Sequence, residues 1–179
     1  MTTSAIIESG MSFGPFPEGH YFYIEKSQAL KDVNKHARQG EGIQIAEFLL
    51  FKTENNKATI SIVEAKTTAP KPQSRENYDA YINEIKEKLA NSLALFISFY
   101  LQRHPTGNSE LPDKFKQLEL ATVNFELILV VKNSKDDWLI PINDDLKKAL
   151  RPFANLWKLS PTSIKVFNED NAKARNLVS

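Results

Sequence analysis

The sequence predicts an α/β protein with a central mixed β-sheet flanked by helices. Two observations carry that expectation. Runs rich in apolar and β-branched residues lie at 43–52, 58–66, 118–131 and 163–167, as strands require. Between them lies a long segment in which Tyr78, Ile82, Ile85, Leu89, Leu93, Phe96 and Tyr100 recur at three- and four-residue spacing, the spacing of one helix face. Helices alternating with strands stack as layers around a shared core.

The elements follow in order. Residues 1–19 hold Gly10, Gly14, Pro15, Pro17 and Gly19, which reads as a flexible arm. Tyr21 to Ile24 has strand character. Ser27 can cap a helix running to about Ala37, ended by Gly40. Two strands are expected at Ile43–Lys52 and Ala58–Lys66, joined by Asn55-Asn56. Asn tolerates positive φ, so this pair suits a tight hairpin turn. Ala69-Pro70-Lys71-Pro72 breaks regular structure. Ser74 can cap the long helix, and Glu76 complements its positive first turn. Past Leu93 that helix is apolar nearly all round, as a buried helix is.

Residues 104–116 read as a polar loop. The run Leu127–Val131 suits a strand buried on both faces. Asn143-Asp144 can cap a further helix to about Leu159, and Ser163–Phe167 reads as a last strand. The expected organisation is an arm at 1–19, one domain at 20–167 and a fraying tail at 168–179.

Bulk properties bound the function. The chain has 179 residues, 41% hydrophobic and 25% charged, an ordinary globular balance. It has no cysteine, which removes disulfide and thiolate-metal chemistry. The net charge of +1 gives no bulk sign of a basic nucleic-acid face. Met1–Phe13 does not read as a signal peptide. Leu93–Leu101, the longest apolar stretch, is about half of what a membrane span needs. A cytoplasmic protein is the expectation.

The hairpin carries the chemistry. Strand side chains alternate between faces. Ile43, Ile45, Glu47, Leu49 and Phe51 share one face of the first strand, and Ala58, Ile60, Ile62, Glu64 and Lys66 share one of the second. Two acids and a lysine thus interrupt apolar faces, where an unpartnered carboxylate is costly. The register that pairs Glu54 with Lys57 carries Glu47 opposite Glu64. Like charges directly opposed destabilise a sheet, and a divalent cation between them reverses that penalty.

An acid on one strand, a hairpin, then Glu64-Ala65-Lys66 on the next strand, followed by a helix and a strand, resembles the core of the PD-(D/E)xK nuclease superfamily. The resemblance covers roughly residues 42–132. It implies a restriction-endonuclease-like fold and metal-dependent hydrolysis of phosphodiester bonds in DNA. It implies that Glu47, Glu64 and the Ala65 carbonyl ligate magnesium or manganese, and that Lys66 orients or activates the attacking water. The chain departs from the family pattern at Glu47, where aspartate is usual, and at Ala46, where proline is usual. For the acid that many members carry on the first helix, the region offers Glu25. Thr67 is either a strand-end residue or a phosphate ligand. Lys71 and Arg75 are either solvated loop charges or phosphate contacts.

Other chemistries lack their residues. His20, His36 and His104 form no zinc motif, and no nucleophile elbow, Walker loop or dinucleotide fingerprint is present. Trp138 and Trp157 read as packing residues. The alternatives to a nuclease are an inactive nuclease-like binding or assembly module in a prokaryotic defence or nucleic-acid processing complex, and an unrelated α/β protein with exposed hairpin acids. A homodimer would supply two sites for double-strand cleavage, and the apolar helix end at Phe96–Tyr100 is the expected dimer surface.

Overall fold

The computed structural model describes residues 3–38 and 40–179, and its centre is a mixed five-stranded sheet flanked by helices. The sheet order is β3 (Tyr21–Phe22), β4 (Phe48–Glu54), β5 (Lys57–Lys66), β6 (Asn124–Val131) and β7 (Ile164–Asn168). The first three strands pair antiparallel and the last three parallel. Parallel neighbours need a crossover, and the long helices α2 (Arg75–Tyr100) and α5 (Asp136–Leu156) supply the two that are required. Short helices α1 (Gln28–Asn34), α3 (Pro105–Glu110), α4 (Asp113–Lys116) and α6 (Glu169–Lys173) complete the chain, with a 3₁₀ turn at Pro161–Ser163.

Each face of the sheet has its own core. Leu49, Ile60, Ile62, Leu127 and Leu129 pack under α2 and α5, against Ile85, Leu89, Leu93 and Phe96. Phe48, Leu50, Val63, Ala65, Ile128 and Val130 face the other way, toward a second hairpin. With both faces covered, Leu127–Val131 is buried throughout, as its unbroken apolar run requires.

The β4–β5 turn forms as the sequence indicates. Asn55 and Asn56 have φ of 49° and 60°, and Glu54 pairs with Lys57. Ser27 caps α1 by accepting from the Leu30 N–H. Ser74 stands at the α2 cap position, but its hydroxyl makes no capping bond.

Several expectations are corrected. Residues 3–17 are not a loose arm. They form the hairpin β1 (Thr3–Glu8) and β2 (Met11–Pro17), which buries Ile6, Met11 and Phe13 against the second face. Nor does the stretch after residue 167 fray. It forms α6 and then buries Leu177 and Val178, with a bridge from Val178 to Phe13. The 104–116 loop contains α3 and α4. β4 begins at Phe48 rather than Ile43, and β6 at Asn124 rather than Leu118.

The α5 helix begins at Asp136, before the expected Asn143-Asp144 cap. Its buried stripe of Leu139, Ile142, Leu146, Leu150 and Ala154 has helical spacing from the first turn, and this packing carries the helix through Pro141. The expected dimer surface is also corrected. Phe96 and Phe99 are fully buried, and Phe96 packs against Phe115 and Phe125.

Candidate functional site

The acids collect at the end of the sheet where β5 finishes and β4 begins. The β4–β5 ladder runs regularly up to Phe48 opposite Val63. There it shifts, because Glu47 donates its N–H to the carbonyl of Val63 at 3.1 Å. Two residues of the first strand thus oppose one of the second, which is the arrangement of a β-bulge. Bulges re-aim side chains and end pairing. The expected ladder pair of Glu47 with Glu64 is therefore replaced by a bulge that still leaves Glu47 within reach of the Glu64 charge.

Ser92 of α2 fixes this entry to β4. Its hydroxyl accepts from the Ala46 N–H at 2.8 Å and donates to the Lys88 carbonyl at 2.7 Å. Ile45 and Ala46 are buried beside it. Glu47 itself is half-buried.

Burial pushes the Glu47 carboxyl up to about 8, helped by a hydrogen bond with Glu25 and by the charges of Glu64, Glu25 and Glu8. The charges acting most strongly on Glu47 are those of other acids, one of which, Glu8, is paired with Lys26. Glu25 is thus brought to Glu47, although it lies between β3 and α1 rather than on the first helix. Glu8 arrives from the tip of the β1–β2 hairpin.

Glu64 is fully buried. Its Oε1 accepts from Lys88 Nζ at 2.9 Å and lies 3.3 Å from Lys66 Nζ. Among the described residues its Oε2 has no hydrogen-bond partner. Burial raises the carboxyl above its ordinary value, against the opposing pull of Lys88 and Lys66. The Tyr81 hydroxyl is buried and unpartnered as well, and its phenol is raised by burial and by the charges of Glu64 and Glu84.

Lys66 is held on its other side by Glu84 at 2.6 Å. Burial pulls the ammonium down, but the hydrogen bond to Glu84 and the charge of Glu64 outweigh it, and the net shift is upward.

The Ala65 carbonyl accepts from Ser9 Oγ at 2.9 Å. A carbonyl has two lone pairs, so this bond leaves one for a further ligand. Thr67 does not join the acids. Its hydroxyl donates to the Ser9 carbonyl at 3.3 Å and ties the hairpin tip to β5. Lys71 lies apart from them too, over the ring of Trp138.

Four residues of α2 were missed by sequence reasoning: Tyr81, Glu84, Lys88 and Ser92. They are spaced by three and four and so share the helix face turned to the sheet. A polar stripe on a helix otherwise apolar on its inner side was the available signal.

The donor set is one of carboxylates and a carbonyl, which suits a hard cation such as magnesium or manganese. The orphaned Glu64 Oε2 and the acids gathered around Glu47 fit such an ion. Among the described residues, no three acid or histidine side chains close into a ready-made metal cage, and an ion would have to draw the carboxylates together. None of the described helices is long and apolar enough to cross a membrane. The chain matches no protein-family model, no curated protein and no solved structure.

Proposed function

We propose that the chain is a divalent-metal-dependent nuclease of the restriction-endonuclease-like type, hydrolysing phosphodiester bonds in DNA. The observation that carries this reading is the convergence of Glu25, Glu47 and Glu64 at one end of β5, where the charges acting most strongly on Glu47 are those of other acids. Acids gathered in this way repel one another and resist ionisation unless a positive charge joins them. Glu47, Glu64 and the Ala65 carbonyl are the residues that would hold magnesium or manganese. When bound, the ion supplies charge for the phosphoryl oxygens and acidifies a water.

The chain's own residues do the rest. Glu84 and Glu64 keep Lys66 an ammonium at neutral pH. Lys66 therefore orients the water and meets the charge on the phosphate, rather than removing a proton. Ser9 fixes the direction of the Ala65 carbonyl. Lys88 neutralises Glu64 and must release it, at least in part, for a metal to take its place.

That last contact also favours a second reading, an inactive nuclease-like binding or assembly module. With Lys88 and Lys66 both at Glu64 Oε1, the buried charge is already balanced. A cleavage assay separates the two readings. Single-stranded, linear and supercoiled DNA are incubated with magnesium or manganese and the wild type, Glu64→Gln or Lys66→Ala. The nuclease reading expects metal-dependent cleavage, lowered by about 100-fold or more in each variant. Absence of cleavage on every substrate, with metal bound, would establish the module instead.

A further inference from the structure

A cavity of about 480 Å³ opens beyond the C-terminal ends of β5 and β6. Its walls are the 69–73 segment, Asn133 and Ser134, and the first turns of α5. It adjoins the candidate site through the backbone. The N–H groups of Lys132 and Asn133 bond the carbonyls of Lys66 and Thr67, each at 2.9 Å. In open α/β sheets this end of the strands is the usual place for a ligand.

Trp138 lies in the wall and is 43% exposed. It stands beside the α5 stripe that begins at Leu139, so the packing of that helix does not require an indole there. Two flexible ammonium groups lie over the ring, and an arriving base would displace them. Lys71 Nζ is 5.5 Å and Lys135 Nζ is 5.7 Å from its centroid. Among the described residues neither lysine is ion-paired. Asp136, the nearest acid in sequence to Lys135, is held by the amides of Asn168 and Asn171 at 2.9 Å. The reading of Trp138 as a packing residue is thereby corrected.

We propose that this cavity is a subsite for an unpaired nucleotide, with its base stacked on Trp138 and its flanking phosphates met by Lys71 and Lys135. The inference rests on the nuclease reading and narrows its substrate to nucleic acid with a single-stranded segment. An exposed aromatic ring with flexible cations beside it suits every base, because each base has a π-face. A base inside a duplex cannot reach the indole without leaving its stack. Asp137 also lines the cavity. Its carboxylate suits a base N–H, imino or exocyclic amino, rather than a phosphate.

The test uses the full chain carrying Glu64→Gln, in EDTA, so that binding is read without metal or cleavage. Tryptophan fluorescence is followed as a short oligothymidylate is added. Trp157 packs against Phe125 and Phe153 and serves as a steady background. Saturable quenching is expected, with a duplex of equal length binding more weakly. Trp138→Ala, followed by anisotropy of a labelled strand, should weaken binding about tenfold or more, and Trp138→Phe should do so less. The Lys71→Glu, Lys135→Glu pair should weaken binding and flatten its salt dependence.

Unchanged affinity in Trp138→Ala, a duplex bound as tightly as the single strand, or no binding at all would each overturn the subsite. Tighter binding of oligouridylate would keep the subsite and assign the strand as RNA. Strand binding that needs Trp138 in a protein that cleaves nothing would sink the nuclease reading and leave the subsite standing. Cleavage indifferent to Trp138 would do the reverse.

Discussion

Lys88→Met is expected to lower the thermal midpoint at pH 7 by about 6–12 °C, from a loss of about 3 kcal/mol. Methionine keeps the apolar stem and removes the charge that sits 2.9 Å from the fully buried Glu64. A buried carboxylate deprived of its partner costs about 3–5 kcal/mol, and the low end applies because Lys66 remains at 3.3 Å. The loss depends on pH in a definite direction. The Glu64 carboxyl is already raised in the folded chain, chiefly by burial, and Lys88 is the larger of the two charges opposing that rise. Without Lys88 it rises further, so the folded chain holds its proton to higher pH than the unfolded chain. The deficit is then small near pH 4 and grows as pH increases. Adding Glu64→Gln to Lys88→Met should recover much of the midpoint, since no buried charge is left. Differential scanning fluorimetry across pH reads all three proteins. Equal midpoints for wild type and Lys88→Met would mean that Glu64 is neutral or hydrated in the native protein.

Glu47→Gln is expected to stabilise the protein at pH 8 and to leave it nearly unchanged at pH 4. The carboxyl is pushed up to about 8 in the folded chain, from an ordinary value of 4.5. Below pH 4.5 both the folded and the unfolded chain hold the proton, and Glu47 adds no pH dependence. Between 4.5 and about 8 the folded chain holds more protons, so stability falls as pH rises. Above about 8 the full penalty of a charged Glu47 among Glu25, Glu64 and Glu8 is present. Glutamine carries no titratable proton, and its amide can still donate to Glu25. The midpoint of the variant should therefore decline less than that of the wild type between pH 5 and pH 8. Parallel midpoint curves would show that Glu47 is solvated and free of the other acids.

Much of the frame was legible because it rests on local chemistry. Asn55-Asn56 tolerate positive φ, and from that turn the register runs correctly for seven residues of β4, Phe48 to Glu54. The apolar stripe of α2 and the continuous run of β6 describe their own burial. The residues paired with Glu64 and Lys66 were hidden for a physical reason. Lys88 reaches Glu64 across 24 positions and Glu84 reaches Lys66 across 18, and no local pattern specifies which helix turn faces which strand residue. The bulge at Glu47 was equally hidden, since it lies beside a contact between residues 46 positions apart, Ser92 and the Ala46 N–H.

The N-terminal hairpin was misread because its glycines and prolines mask the inward side chains of Met11, Phe13 and Phe16. That error mattered for the site, where the hairpin tip delivers Glu8 and Ser9. Trp138 was misread for the opposite reason. Tryptophan is on average well buried, and only the fold exposes this one between two lysines.

The central claim is that Glu47 and Glu64 form one divalent-metal site, and calorimetric titration of manganese tests it most directly. The titrations use the wild type, Glu47→Ala and Glu64→Ala at pH 8, in two buffers of different ionisation enthalpy. Binding to the wild type with release of protons is expected, because Glu47 must give up a proton held to about pH 8. That binding should be lost in both variants. Binding that survives in either variant, or a wild type that takes up manganese with no proton release, would contradict that claim.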